Sequence, residues 1–358
     1  MCQFEVNQQI NPSKHFFVVL PIPKFRVIYN HRVIVKMKNA LLIIVALLGL
    51  AVSPMQACDI CGCGVGGYYS GMLPQYHKHF IGLRWRFSQF KSYPDHHVNP
   101  VNSVVAPSKE YFHSFELMAR FYPHRRVQLL AFVPLNYNYQ HTPLSPPIEQ
   151  ALVGLGDVSL MALYNIYNTS FIAEKDIKHN VLLGGGIKLP TGAFQRTDES
   201  GNQLTPNFQL GTGSVDFLVT GIYTFRYKRW GVNTNINYKI NLPNAETYRF
   251  GNQLKAALTA FMLHKFEKTK WGILPQLGLA VEQAGYNFKN GYQRINTGGQ
   301  QLLATVGVEA YCGDVQFSAT YQQPIWQHLS DGYVEAGPQF MVGINYLFGR
   351  APTIMKKI

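Results

Sequence analysis

Charge is what this chain of 358 residues most lacks. Asp, Glu, Lys and Arg make up 14% of it, against about 25% in an ordinary soluble protein, too few to clothe a water-exposed surface. Long apolar runs are missing as well. Past residue 57 no stretch approaches the roughly 20 uninterrupted apolar residues of a transmembrane helix, which excludes a helical membrane bundle. No GxSxG, HExxH, P-loop or dinucleotide-binding fingerprint stands in a strand–turn–helix context. Disorder is excluded from the other side: apolar residues make up 47% and aromatics 13%, more than an unfolded segment carries. What is left is a chain whose apolar residues alternate with uncharged polar ones, the composition of a membrane β-barrel.

The N-terminal region reads as an export signal. Met37-Lys38-Asn39 opens an uncharged run from Ala40 to Val52, followed by Ser53-Pro54-Met55-Gln56-Ala57. A basic start, a short apolar segment and a small residue before the cut are the parts of a secretory signal peptide. The expected division is an upstream extension from a mis-assigned start at 1–36, a signal peptide at 37–57, a Cys/Gly-rich periplasmic segment at 58–78, a barrel at 79–348 and a periplasmic tail at 349–358. Without residues 1–57 the chain keeps a net charge of +8. Its basic residues sit in short turns and at alternating positions rather than in one patch, so nucleic acid is not an expected partner.

Period-two alternation is the main structural signal, because a strand between lipid and water switches polarity at each residue. In Trp230–Asn241, Trp230, Val232, Thr234, Ile236, Tyr238 and Ile240 fall on one face. Gly231, Asn233, Asn235, Asn237, Lys239 and Asn241 fall on the other. The pattern places strands at 79–90, 110–121, 126–139, 156–168, 178–189, 213–228, 230–241, 250–264, 271–284, 299–311, 315–323 and 338–348. The connections alternate in length. Long ones such as 91–109, 190–212 and 285–298 are separated by tight ones at 122–125, 228–229 and 312–314. A soluble sandwich has no reason to sort its loops in this way, whereas an outer-membrane barrel with periplasmic termini does. The expected fold class is therefore all-β, a transmembrane antiparallel up-and-down barrel of about 12 strands. Tyr137, Tyr139, Phe225, Tyr227 and Trp230 near strand ends suit aromatic girdles. Gly343-Ile344-Asn345-Tyr346-Leu347-Phe348 resembles the C-terminal signal read by the barrel-assembly machinery. That machinery, outer-membrane lipid and lipopolysaccharide, and a small solute are the expected partners.

Three motifs follow one another: Gly154-Leu155-Gly156-Asp157, then Lys188-Leu189-Pro190-Thr191-Gly192, then Gly211-Thr212-Gly213-Ser214-Val215-Asp216. In this order they resemble the outer-membrane transporter-like barrels grouped with the meta-pathway phenol-degradation proteins. The resemblance covers roughly residues 79–348 and implies passage of small, hydrophobic or aromatic compounds across the outer membrane. The plainer reading is that these residues form tight turns at strand ends, where a wall bends or a loop folds inward.

A lipid-facing Arg or Lys at the membrane midplane costs about 2–4 kcal/mol, so the charged phase of each strand is expected to point inward. The expected lumen-lining residues are Arg84, Arg86, Glu116, Arg120, Asp157, Asp216, Arg226, Lys228, Lys239, Lys255, Glu282 and Glu309. They either line a channel or pair across a closed lumen. Three thiols, Cys58, Cys61 and Cys63, stand at the expected mature N-terminus, with Cys312 in an expected periplasmic turn. Disulfides are the ordinary fate of paired periplasmic cysteines. A Cu or Zn site is a second reading, with His77 and His79 nearby, and lipidation of Cys58 a third. The function that follows is an outer-membrane channel for passive passage of small solutes, with no catalytic residue assigned. A lipid hydrolase with Ser and His on the outer wall, and a plugged structural or metal-binding barrel, are the alternatives.

Overall fold

The computed structural model describes residues 78–93, 106–144, 147–170 and 175–349. The upstream extension, the signal peptide, the segment carrying Cys58, Cys61 and Cys63, and the tail past Gly349 lie outside them. Among the described residues no helix is long and apolar enough to cross a membrane, and strands form the crossings.

Twelve wall strands run in chain order. These are β1 (His79–Ser92), β2 (Ser108–His124), β3 (Val127–Thr142), β4 in two pieces (Ile148–Leu155 and Ser159–Asn168), β5 (Ile177–Lys188) and β6 (Asp216–Tyr227). The second half is β7 (Trp230–Asn241), β8 (Gln253–Met262), β9 (Trp271–Ala284), β10 (Gly299–Cys312), β11 (Val315–Leu329) and β12 (Gln339–Phe348). Each pairs antiparallel with its neighbours in sequence. The wall closes where β12 meets β1, from His79 opposite Phe348 to Phe87 opposite Phe340. Closure leaves no unpaired strand edge, which hydrocarbon would not tolerate.

Side-chain polarity is inverted relative to a soluble protein. On β12, Phe340, Val342, Ile344, Tyr346 and Phe348 are all exposed on the outside, while Met341, Asn345 and Leu347 are buried inside. The same holds on β7, where Trp230, Ile236 and Tyr238 face out and Asn235, Asn237, Lys239 and Asn241 are buried. An outer face of large apolar side chains is stable only against lipid. Aromatics crowd this face: Trp85, Phe87, His113, Tyr111 and Tyr139 form one chain of ring contacts across β1, β2 and β3.

Connections at one end are short or moderate, at 125–126, 169–176, 228–229, 263–270 and 313–314; those at the other include 93–107, 189–215, 242–252 and 285–298. In barrels of this class the long-loop end is extracellular. Two of these loops join in a small sheet of Tyr248–Arg249, Phe288–Lys289 and Tyr292–Gln293.

Several boundaries differ from the sequence expectation. The fourth strand starts at Ile148, not 156, and breaks between Leu155 and Ser159, where the Gly-Asp motif leaves the ladder. The sixth begins at Asp216, not 213, because Gly213 takes a φ of +69° and turns the chain inward. The eleventh runs to Leu329 past a register shift opposite Leu302/Leu303, near Pro324, which cannot donate to the ladder.

Candidate functional site

The inward phase of the wall carries paired charges at mid-height. Arg84 and Arg86 are two residues apart on β1 and so point the same way. Glu116 on β2 lies in register with Arg84. Arg84 Nε donates to Glu116 Oε2 at 2.9 Å and its terminal nitrogen to the same oxygen, while Arg86 donates to Oε1 at 2.6 Å. On the far wall Lys255 of β8 is in register with Glu282 of β9 and bonds its Oε1. Gln301 Nε2 donates to Glu282 Oε2 at 2.7 Å. Glu309, fully buried, accepts from the Tyr311 hydroxyl and from Gln316 at 2.9 Å. Arg120 donates to the Lys78 carbonyl at 3.1 Å, with its guanidinium 4.7 Å from the centre of the Phe80 ring.

The three sequence motifs meet at one point near the long-loop end. Lys188, the last residue of β5, bonds Asp157 and Asp216 and also the Thr212 hydroxyl; its nitrogen is 2.9 Å from Asp216 Oδ2. Asp157 in turn accepts the backbone N–H of Gly192 at 2.9 Å and of Thr212 at 2.8 Å. Ser214 and the backbone of Leu242 donate to Asp216 Oδ1, and Lys239 stands 3.8 Å from its other oxygen. Two charges of each sign, with hydrogen bonds from backbone and hydroxyl groups, meet the condition under which buried ions are tolerated. The glycines are required by contact: a Cβ on Gly211 would stand 2.3 Å from Asp157 Oδ1, and one on Gly192 would stand 2.8 Å from the Gly211 Cα.

This anchor holds the ends of the 189–215 connection together and directs its middle into the barrel. Asn138 on β3 donates to the Phe208 carbonyl at 2.9 Å, and Asn136 to that of Leu210 at 3.2 Å. Phe208 is buried edge-on against Phe112 of β2. Leu204 and Phe208 belong to one apolar cluster with Phe90, Phe112, Ala284, Leu329 and Ala336. Below it, Arg86, Ser114, Gln253, Lys255, Glu282 and Met341 surround a cavity of about 70 Å³ between the two walls. Toward the short-turn end the inward face turns apolar again, with Phe80, Met118, Leu130, Met161, Leu163 and Leu274 in a second cluster.

Of the sequence-selected residues, Arg84, Glu116, Arg120, Asp216, Lys239, Lys255, Glu282 and Glu309 are buried inside the wall. The Asp157 side chain is buried in the break of β4, and Arg86 is partly open to the cavity. Arg226 holds the last inward position of β6, half-buried at the short-turn rim. Lys228 is a correction: it does not line the lumen. It sits in the turn after β6 with a φ of 51°, exposed, 3.9 Å from Asp176 of the neighbouring turn. Alternation carried past the end of the strand assigns a face to a residue that has left the ladder. Cys312 ends β10 on the outward phase and forms no disulfide among the described residues. His79 Nδ1 accepts the Tyr122 N–H at 3.0 Å, and its ring stacks on Phe121. The inward apolar residues were missed, since alternation places the strand Ser159–Asn168 but does not tell its inner face from its outer where Met161 and Leu163 alternate with apolar neighbours.

No family model and no curated protein matches the chain. Solved structures do. An outer membrane channel from Pseudomonas putida F1 superposes with a TM-score of 0.56 at 14% identity, over 79% of this chain and 98% of that one. The beta domain of the Bordetella autotransporter BrkA gives 0.45 at 11%, over 76% and 100%. A FadL homologue from Pseudomonas aeruginosa gives 0.37 at 10%, over 83% and 99%. The first shares the fold; the other two are too distant to add to that. With its closed wall and lipid-facing belt, the chain is an outer-membrane β-barrel, and its location is a bacterial outer membrane.

Proposed function

We propose that the chain is a channel for passive passage of small solutes, with the 189–215 connection as its constriction. The observation that carries this reading is the inward loop, whose ends are locked by Lys188 while its apolar middle narrows the lumen over a cavity lined by charged and amide side chains. A plugged structural barrel has no use for a cavity lined by charged and amide side chains beneath a single loop. A hydrolase on the outer wall needs a histidine held by a serine. Four outer-wall histidines have other partners: His113 is engaged by Trp85 Nε1 at 3.3 Å, His179 by the Tyr223 hydroxyl at 2.9 Å, His79 by the Tyr122 N–H at 3.0 Å, and His141 stands 3.4 Å from Glu149. Apolar zones above and below the cavity suit solutes with an apolar body, in line with the resemblance of the three motifs. Assembly machinery and lipopolysaccharide are the partners such a barrel uses. Any Cu, Zn or disulfide chemistry would use Cys58, Cys61 and Cys63 together with Cys312.

Liposome swelling tests the reading. Vesicles containing the refolded protein should swell in small neutral solutes faster than empty vesicles. Equal rates for every solute, together with release of fatty acid from the vesicle lipid, would replace it with the hydrolase.

A further inference from the structure

On the lipid-facing side of β2 to β5 the wall is indented. Two rows of outward residues cross these strands in register. One row is Phe121, Leu129, Ala162 and Gly185; the next, one step nearer the long-loop end, is Ala119, Ala131, Leu160 and Ile187. Large and small side chains change rows halfway along. A groove therefore runs diagonally over the four small residues, with Phe121 and Leu129 on one bank and Leu160 and Ile187 on the other. All four bank residues are exposed, and Phe121 is held by stacking on the His79 ring at 4.7 Å. The groove encloses about 410 Å³, within the roughly 300–1,000 Å³ of ligand-binding clefts. A wall in hydrocarbon keeps its dispersion contacts only where something fills such a groove, and a lining of apolar residues alone fits an acyl chain.

Toward the short-turn end the chemistry changes at once. Tyr164 is the next outward residue after Ala162 on the same strand, about 7 Å on, and its hydroxyl accepts from an Arg126 terminal nitrogen at 3.4 Å. Arg125 and Arg126 are the whole connection between β2 and β3, and both are exposed. Among the described residues neither pairs with a carboxylate. The residues before them, Tyr122, Pro123 and His124, add no negative charge. In the adjoining 169–176 connection Asp176 stands 3.9 Å from Lys228. Other turns at this end are basic as well: 228–229 is Lys228-Arg229, and 263–270 holds three lysines against Glu267. A tyrosine and two guanidinium groups at the rim of a lipid-facing groove stand where headgroups do, and a guanidinium matches a phosphate with paired N–H groups. In barrels of this class the short turns face the periplasm, so headgroups at this height belong to the periplasmic leaflet.

We infer that the groove and the arginine turn together bind one anionic glycerophospholipid of the periplasmic leaflet. Its phosphate lies against Arg125 and Arg126 beside Tyr164, and one acyl chain lies over Ala162, Ala131 and Ala119. A zwitterionic lipid brings its own ammonium group to the same place, which cancels much of the attraction. A second barrel packed on the groove is disfavoured: in the same membrane orientation it brings another Arg125-Arg126 turn to the same height, like charge against like. The inference concerns the outer wall and is independent of what passes through the lumen.

Native mass spectrometry of the refolded protein tests this, from micelles holding equal amounts of phosphatidylglycerol and phosphatidylcholine with identical chains. The unmodified protein should retain one phosphatidylglycerol with about tenfold preference over phosphatidylcholine, within what two arginines supply at an anionic headgroup. Arg125→Gln combined with Arg126→Gln should remove that preference. Ala162→Leu fills the groove from an exposed position and should weaken retention of both lipids several-fold. Both variants should keep heat-modifiable migration. An excess of glycerol 3-phosphate should leave the lipid bound; its displacement would make the turn a site for free phosphate and overturn the inference. Equal retention of the two lipids by the unmodified protein would overturn it whatever the variants do. So would a dimer, free of lipid, that Ala162→Leu splits, since a second copy then fills the groove.

Discussion

Lys188 touches Asp157, Asp216, Thr212 and the Ser214 carbonyl, so its replacement leaves two buried carboxylates with little compensation. Lys188→Met should lower stability by about 3–5 kcal/mol, the cost of breaking a buried ion pair from one side, read as a fall in the urea midpoint of the refolded barrel. Gly211→Ala forces a methyl group into Asp157 and should cost about 1–3 kcal/mol, while Gly201→Ala, with open space around it, should cost little beyond the strain of its φ of 81°. At this scale the sequence was readable where chemistry forces a face. The three glycine motifs named Asp157, Lys188 and Asp216 before any contact was known, and the cost of charge in lipid put Arg84, Glu116 and Lys255 inside. It was not readable at Lys228, where height along the strand and not its face decides.

Each strand separates lipid from lumen with a period of two, so adjacent substitutions should have opposite tolerance. Leu279 is half-exposed on the outer face of β9; Leu279→Arg should destabilise by about 2–4 kcal/mol if it sits near the membrane midplane, while Trp230→Arg, at a strand end, should cost about 0–1. Denaturant titration in detergent-free vesicles checks both. Among the long loops, Glu246 joins 242–252 to its neighbours: Gln203 donates to both its oxygens at 3.1 and 3.0 Å, and Lys289 stands 3.8 Å away. Its carboxyl titrates below the ordinary carboxylate value, first because of the Gln203 hydrogen bond and then with help from Gln195 and Lys289. The tie is therefore complete above that ordinary value and weakens only as pH falls through the lower, folded one. Protease cleavage of the 189–215 connection should rise on acidification in that window, and in Glu246→Gln it should lose this pH dependence. Strand order and the sorting of loops by length were legible because both follow from crossing a bilayer. The inward path of 189–215 was signalled only by its Gly and Pro-Thr-Gly ends, since its middle is held by Asn136 and Asn138, ordinary polar residues of a distant strand.

In the molecule as a whole, the 189–215 connection is the proposed barrier inside an otherwise finished wall. The backbones of Gly192 and Gly211 touch, so residues 193–210 form a closed excursion that a two-glycine link can replace. That change keeps Lys188, Asp157, Thr212 and Asp216 in place and removes Leu204, Phe208 and Leu210 from the lumen. Single-channel conductance in planar bilayers, compared between the intact protein and this shortened one, is the most direct test. The intact protein should show a small conductance and the shortened protein a several-fold larger one, both migrating as folded barrels. Equal conductance in the two, or none in either, would contradict the proposed barrier.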